Sequence, residues 1–110
     1  MTRADVEVIA FALPGVTRVV QWGASDVYKV GGKVFAIAGD EGVSFKVTDI
    51  GFLALTEGGP GRQAPYCAKG QWVNVDFPDL TRADWADRLA TAHGLIAAKL
   101  TKKARAELGL

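Results

Sequence analysis

The spacing of apolar residues predicts helices towards both ends of the chain. Near the amino terminus these residues recur at helical intervals from Val6 to Leu13, after the N-cap residue Thr2 and before the helix-stopping Pro14. Near the carboxyl terminus, Thr81 begins a longer helix whose apolar face runs from Trp85 to Leu100. Two shorter helices are predicted, one capped by Asp49 and running to about Glu57, and one restarting at Thr101.

Between the first and second helices the hydrophobic period changes to two, which is typical of strands. Gly31-Gly32 suits a two-residue hairpin turn, and all the connections are too short for parallel crossovers. The predicted strands are Thr17–Trp22, Asp26–Val30, Lys33–Ala38 and Val43–Val47, with a later pair at Ala64–Ala68 and Gln71–Asp76. Residues 1–110 are therefore expected to form one two-layer α+β domain, an antiparallel sheet with helices packed on one face. The order is α, three or four β, α, two β, α, α.

The hairpin register predicts which side chains share a face of this sheet. A turn at Gly31-Gly32 sets Tyr28 opposite Phe35, and a turn over 39–42 sets Ala36 opposite Phe45. One face then becomes the core, with Lys29 as its only charged member near the edge: Val27, Val34, Ala36, Val43, Phe45 and Val47. The other face interleaves rings with lysines: Tyr28, Lys33, Phe35, Ile37, Ser44 and Lys46, joined by Trp72 and Trp22.

An exposed face of this composition can stack flat groups while it neutralises phosphates. The alternative is that the rings pack against one another or beneath the last helices, with the lysines solvated at the rim. A slip of one residue in register would exchange the two faces. The sequence leaves both interpretations open.

Composition restricts the function classes. Thirteen basic side chains against twelve acidic ones give a net charge of +1, so any nucleic-acid binding needs a local patch. The single cysteine excludes an internal disulfide and favours a cytoplasmic location. The longest apolar run, Val8 to Leu13, is too short to cross a membrane, and the acidic amino terminus is unlike a signal peptide. We expect a monomer.

The residues that commonly carry catalysis form no recognisable set. His93 is the only histidine, and neither it nor Cys67 has a partner at catalytic or metal-ligand spacing. The segment from Gly58 to Arg62 suits either a flexible connector or an anion-binding loop. We therefore expect no enzymatic activity, no metal and no cofactor.

The ordered set of short motifs resembles the MmcQ/YjbR family over nearly the whole chain. The matching segments are Ala12–Thr17, Trp22-Gly23, Val27–Ala36, Val43–Val47, Arg62 with Ala64–Tyr66, Trp72–Val75, and Ala98–Leu100 with Lys103. The resemblance implies a small bacterial cytoplasmic protein with a compact α+β fold, described as similar to type III secretion chaperones and as a double-wing motif. Members are commonly labelled DNA-binding, which implies a DNA-binding role here.

Two functions follow as hypotheses. The first is non-catalytic DNA binding through a local basic patch: Lys29, Lys33, Lys46, Arg62, Lys99, Lys102 and Lys103. The second is a protein-interaction or chaperone-like module that uses an exposed aromatic surface: Trp22, Tyr28, Phe35, Tyr66 and Trp72.

Overall fold

Each of the four helices begins at a threonine whose hydroxyl oxygen accepts a hydrogen bond from a backbone N–H in the first turn. The structure, a computed structural model, describes residues 1–110. The caps at Thr2, Thr81 and Thr101 confirm the predictions, whereas the second helix is capped by Thr48 and not by Asp49. The helices are α1 (Arg3–Phe11), α2 (Asp49–Thr56), α3 (Arg82–Ala97) and α4 (Lys102–Glu107).

The strands form one antiparallel sheet in the order β1-β2-β3-β4-β6-β5. Their bounds are β1 (Val16–Gln21), β2 (Ser25–Val30), β3 (Lys33–Ala38), β4 (Gly42–Lys46), β5 (Arg62–Gln63) and β6 (Trp72–Asp76). A short 3-10 helix, Phe77–Asp79, leads from β6 into α3. The predicted α+β class, with helices packed on an antiparallel sheet, is confirmed. No helix in the structure is long and apolar enough to cross a membrane.

The core lies between the sheet and the helices and is centred on α3. Trp85 is fully buried, its ring meets Phe45 edge-on at a centroid distance of 5.8 Å, and its indole N–H donates to the carbonyl of Phe77. Leu89 and Val73 are also fully buried in this cluster. A buried aromatic pair of this kind adds to stability beyond its buried area. The opposite side of the sheet has no helix on it and is called here the open face.

A β-bulge between β2 and β3 corrects the predicted faces. Lys29 pairs with Val34 as expected, but Tyr28 pairs with Ala36 because Phe35 is an extra residue in β3. Tyr28 and Phe35 therefore lie in the core, fully buried, so their prediction as exposed rings was wrong.

The same bulge exchanges the remaining residues of the hairpin. Val27 pairs with Ile37 and Val34 pairs with Lys29, so these side chains lie on the open face and outside the main core cluster. Val27 is nevertheless fully buried there, as predicted for a core residue. Lys33 pairs with the core residue Val30 and therefore shares the helix side, although it is exposed at the turn. Since side chains alternate strictly along a strand, one inserted residue reverses every assignment beyond it.

The predicted strand Ala64–Ala68 is also wrong, because residues 64–71 form a loop. The side-chain amide of Gln63 holds that loop: it donates to the carbonyls of Ala64 and Cys67, and its oxygen accepts from the N–H of Gly70 at 2.9 Å. These bonds satisfy backbone groups that a strand partner would otherwise take.

Candidate functional site

All seven lysines lie towards one end of the molecule, called here the lysine end. The topology brings together the β2–β3 turn, the last residue of β4, the loop before β6, and the chain that follows α3. The side chain of Leu100, just after α3, packs closely against this turn. A Cβ added to Gly31 would lie only 2.6 Å from Leu100 Cδ1. The lysines are Lys29, Lys33, Lys46, Lys69, Lys99, Lys102 and Lys103.

None of these lysines forms an ion pair. The five ion pairs in the structure are made by Arg3, Arg18, Arg62 and Arg82 alone. A lysine without a carboxylate partner keeps its ammonium available to an external anion. Four of the six arginines are therefore tied to carboxylates, whereas none of the seven lysines is.

Lys46 is the one lysine that is buried, which corrects its predicted role as a surface contact. It is buried at the end of β4, and its ammonium donates to the side-chain oxygen of Gln71. Burial, and after it the neighbouring ammonium of Lys99, lowers the pKa of Lys46. Lys46 can add to the local positive potential but is not accessible for direct contact with a phosphate.

Carboxylates collect at the opposite end of the sheet. Asp26 is the second residue of β2, Asp40 and Glu41 lie in the β3–β4 turn, and Asp76 ends β6. Arg3 lies among them, with its guanidinium bonded to Asp26 and to Asp40 at 2.9 Å. The net charge of +1 therefore conceals a local concentration of lysines at one end of the sheet and of carboxylates at the other, which composition alone cannot reveal.

A groove of about 890 Å³ lies on the open face between these two ends. Its floor is a row of residues paired across β3, β4 and β6, namely Ile37, Ser44 and Asn74, with a hydrogen bond of 2.9 Å from the Asn74 amide to the Ser44 hydroxyl. Trp72 and Tyr66 are among its walls. The groove is lined by Trp22, Ser25, Val34, Ile37, Gly39–Gly42, Ser44, Arg62, Pro65–Cys67, Trp72, Asn74 and Asp76.

The predicted aromatic surface is only partly assembled. Trp22, Tyr66 and Trp72 come together around the groove, whereas Tyr28 and Phe35 are in the core. Trp22 and Tyr66 are exposed, and Trp72 is half-buried. The lysines and the exposed rings therefore occupy different parts of the surface, and the prediction of a protein-interaction surface stays a prediction.

Arg62 is placed in the groove and not at the lysine end. Its guanidinium bonds the carboxylate of Asp76 at 2.9 Å, and its strand β5 pairs with the middle of β6. The sequence grouped Arg62 with the lysines by charge type, but the ion pair neutralises it locally. Neither Lys69 nor Gln63 was predicted to contribute to a site, although Lys69 directly precedes the turn glycine Gly70.

The two candidate reactive groups serve packing. His93 is buried, donates from Nε2 to the Pro14 carbonyl at 2.8 Å, and meets Phe35 edge-on. Burial raises the pKa of the Cys67 thiol, which disfavours the nucleophilic thiolate. The structure contains no group of three or more His, Cys, Asp or Glu side chains positioned to hold a metal.

Comparison with known proteins agrees with this fold. The family model described as YjbR matches residues 11–95 of the chain. A crystal structure of the Deinococcus radiodurans protein DR2400, assigned to domain DUF419, superposes with a TM-score of 0.88 at 23% sequence identity. The superposition covers 99% of this chain and 88% of that one, and at this identity it shows the shared fold alone. No curated protein matches the chain.

Proposed function

The chain belongs to the YjbR family, and from the surface of this member we propose that it is a non-catalytic protein that binds DNA through the lysine end. The supporting observation is the segregation of the lysines. All seven lie towards one end of the molecule, and none is tied to a carboxylate. We expect the protein to contact the phosphate backbone of DNA and not to recognise a particular base sequence.

Charge-driven binding suits this arrangement. Five lysines are exposed, namely Lys33, Lys69, Lys99, Lys102 and Lys103. Each ammonium that neutralises a phosphate releases a condensed counterion, which gives affinity without sequence preference. Long lysine side chains also tolerate different phosphate positions, because their donors are not held in a fixed plane.

The groove is excluded from this contact. No lysine lines it, while Asp40, Glu41 and Asp76 do, so a phosphate placed there would meet like charge. Base stacking on the aromatic rings, which the sequence suggested, is therefore no part of the proposal.

The salt dependence of DNA affinity tests the proposal. Fluorescence anisotropy of a short labelled duplex is measured between about 50 and 200 mM salt. If four or five lysines contact phosphates, log affinity should fall against log salt with a slope of about −4. Replacing Lys99, Lys102 and Lys103 together by Gln should reduce the magnitude of that slope by about 3.

A matched pair of single substitutions locates the surface. Lys103→Gln should reduce the magnitude of the slope by about 1, whereas Arg82→Gln should leave it unchanged. Both changes remove one positive charge, but Arg82 lies at the acidic end beside Asp5. Equal effects of the two variants would mean that only net charge matters. Either that result or binding insensitive to salt would overturn the proposal.

A further inference from the structure

The groove on the open face has the size and form of a small-molecule site. Its volume of about 890 Å³ lies within the range of about 300–1,000 Å³ that ligand pockets usually occupy. Its floor offers the apolar side chains of Val34 and Ile37 next to the hydrogen-bonded Ser44 and Asn74. A few polar groups among apolar ones are the usual means of orienting a ligand.

Three aromatic rings border the groove without stacking on any other ring. The five ring contacts of the structure all involve core side chains, and none involves Trp22, Tyr66 or Trp72. Trp22 has 62% of its surface exposed, and Tyr66 is fully exposed. The negative faces of such rings are free to attract a cation.

Two of these rings sit on backbone that their residue types rarely adopt. Trp22 has φ of +53° and Tyr66 has φ of +61°. Bulky residues are disfavoured in the left-handed region, where glycine is accepted readily. Of the three non-glycine residues with positive φ, these two line the groove, and the third, Ala24, belongs to the same β1–β2 turn as Trp22. Strained backbone of this kind clusters at ligand sites.

The charged side chains around the groove favour a positively charged ligand over a negatively charged one. The lining contains the carboxylates of Asp40, Glu41 and Asp76 and one guanidinium, Arg62, which Asp76 already neutralises. Asp40 is paired with Arg3, but Glu41 forms no ion pair. A cation entering the groove would therefore meet the unpaired carboxylate of Glu41 as well as the ring faces.

We propose that this groove binds a small organic cation with an apolar or aromatic body, such as a substituted ammonium. Trp22, at the end of the sheet that carries Glu41, would contact the cationic head through its ring face, and Glu41 would supply the compensating charge. Trp72, which begins β6 at the other end of the groove, and Tyr66 would contact the body of the ligand. Val34 and Ile37 would cover the apolar body. The proposal is independent of DNA binding, because none of the lysines lines the groove.

Calorimetric titration with benzyltrimethylammonium chloride tests this site. Benzyl alcohol and phenylacetate serve as neutral and anionic probes with the same ring. The cation should bind with a measurable heat, and the other two probes should bind at least about tenfold more weakly, because only a cation gains from both the ring faces and Glu41. Equal binding of the three probes, or no binding of the cation, would overturn the proposal.

Substitutions in the groove identify the contacts. Trp22→Gly should weaken binding of the cation about two- to thirtyfold, the usual range for one cation–π contact. Because glycine accepts a positive φ, this variant should fold with an unchanged or higher Tm, which separates lost binding from lost structure. Glu41→Gln should weaken binding about three- to fivefold.

A control on another surface completes the test. Glu57→Gln removes the same charge from the end of α2, outside the groove, and should leave the affinity for the cation unchanged. If Trp22→Gly binds the cation as well as the original chain does, the groove is not the site. Equal losses from Glu41→Gln and Glu57→Gln would likewise reject the role of Glu41.

Discussion

Gly31 is constrained twice, by its backbone conformation and by its neighbour. Its φ is +57°, as a tight hairpin turn requires, and its missing side chain leaves room for Leu100. The following residue, Gly32, shares the positive φ, but no atom lies within 4 Å of where its Cβ would be. The turn therefore provides one position where only conformation matters and one where packing matters as well.

Alanine substitution separates these two effects. Gly31→Ala should lower the free energy of unfolding by about 2–4 kcal/mol, since it adds a clash with Leu100 to the strain of the left-handed conformation. Gly32→Ala should cost only about 1–2 kcal/mol, from the strain alone. Urea denaturation of the two variants measures the difference. Equal costs would mean that Leu100 moves aside freely.

Lys46 illustrates how burial changes the role of a residue. Lys46 ends β4 directly after the core residue Phe45, so the alternation along the strand places its side chain on the open face, as predicted. The ammonium of Lys46 donates to Gln71, and the side chain is buried. Lys46 therefore has a structural role and does not contact a ligand. Sequence alternation specifies a face of the sheet but not whether a loop covers that face.

Among the elements, the amino terminus of α1 is held by a capping box with an additional charged partner. The carboxylate of Asp5 accepts from the N–H of Thr2 at 2.9 Å and from Arg82, at the start of α3, at 3.2 Å. These hydrogen bonds, those from Thr2 first, hold the pKa of Asp5 below its ordinary value. The cap thus joins the first helix to the third.

This cap predicts a dependence of stability on acid. A carboxyl group whose pKa is lower in the folded than in the unfolded state contributes stability above the unfolded value, near pH 4. That contribution is lost as the pH falls through the folded value. Urea denaturation at neutral pH and near pH 3 should show a larger loss in the original chain than in Asp5→Asn.

Arg82→Ala removes only one of the groups that lower the pKa of Asp5 and should give an intermediate loss. The same acid loss in Asp5→Asn as in the original chain would contradict this role of the cap.

The bulge in β3 is the element on which the open face depends. It moves Phe35 into the core, where the ring meets Tyr28 and His93, and it leaves Val34 on the open face. Uniform alternation, by contrast, would have left both rings on the surface. The groove consequently has fewer aromatic walls than the sequence predicted.

At the scale of the whole molecule, charge is arranged along the strands. The turn between β2 and β3 marks the lysine end, and the turn between β3 and β4 marks the acidic end. Lys102 and Lys103 also occupy the first turn of α4, where the helix dipole disfavours positive charge. Like charges held close together repel one another and so reduce stability.

Relief of this repulsion should be measurable. Replacing Lys99, Lys102 and Lys103 by Gln should raise the free energy of unfolding at low salt by up to about 1 kcal/mol, because like-charge repulsion and the unfavourable dipole contact are both removed. The gain should shrink above about 0.1 M salt, where the screening length is about 10 Å. Thermal denaturation at two salt concentrations checks this, and a variant that is less stable at low salt would contradict it.

The local pattern determined most of the architecture. Threonine caps, hydrophobic spacing and the glycine turns predicted four helices and the first four strands to within a residue or two at most ends, because each signal acts over a few neighbouring residues. The family resemblance was also readable, since its motifs occur in order along the chain. The short β5 and the loop held by Gln63 were not predicted, because they depend on hydrogen bonds that the hydrophobic pattern does not encode.

Only the tertiary structure decided the candidate sites. The bulge set which side chains face the groove, and the sheet order brought lysines from four separate segments of the chain to one end. Charge type grouped Arg62 with the lysines, and uniform alternation grouped Phe35 with the exposed rings, whereas the fold separates both. Proximity and burial arise from long-range pairing, which a single sequence does not specify residue by residue.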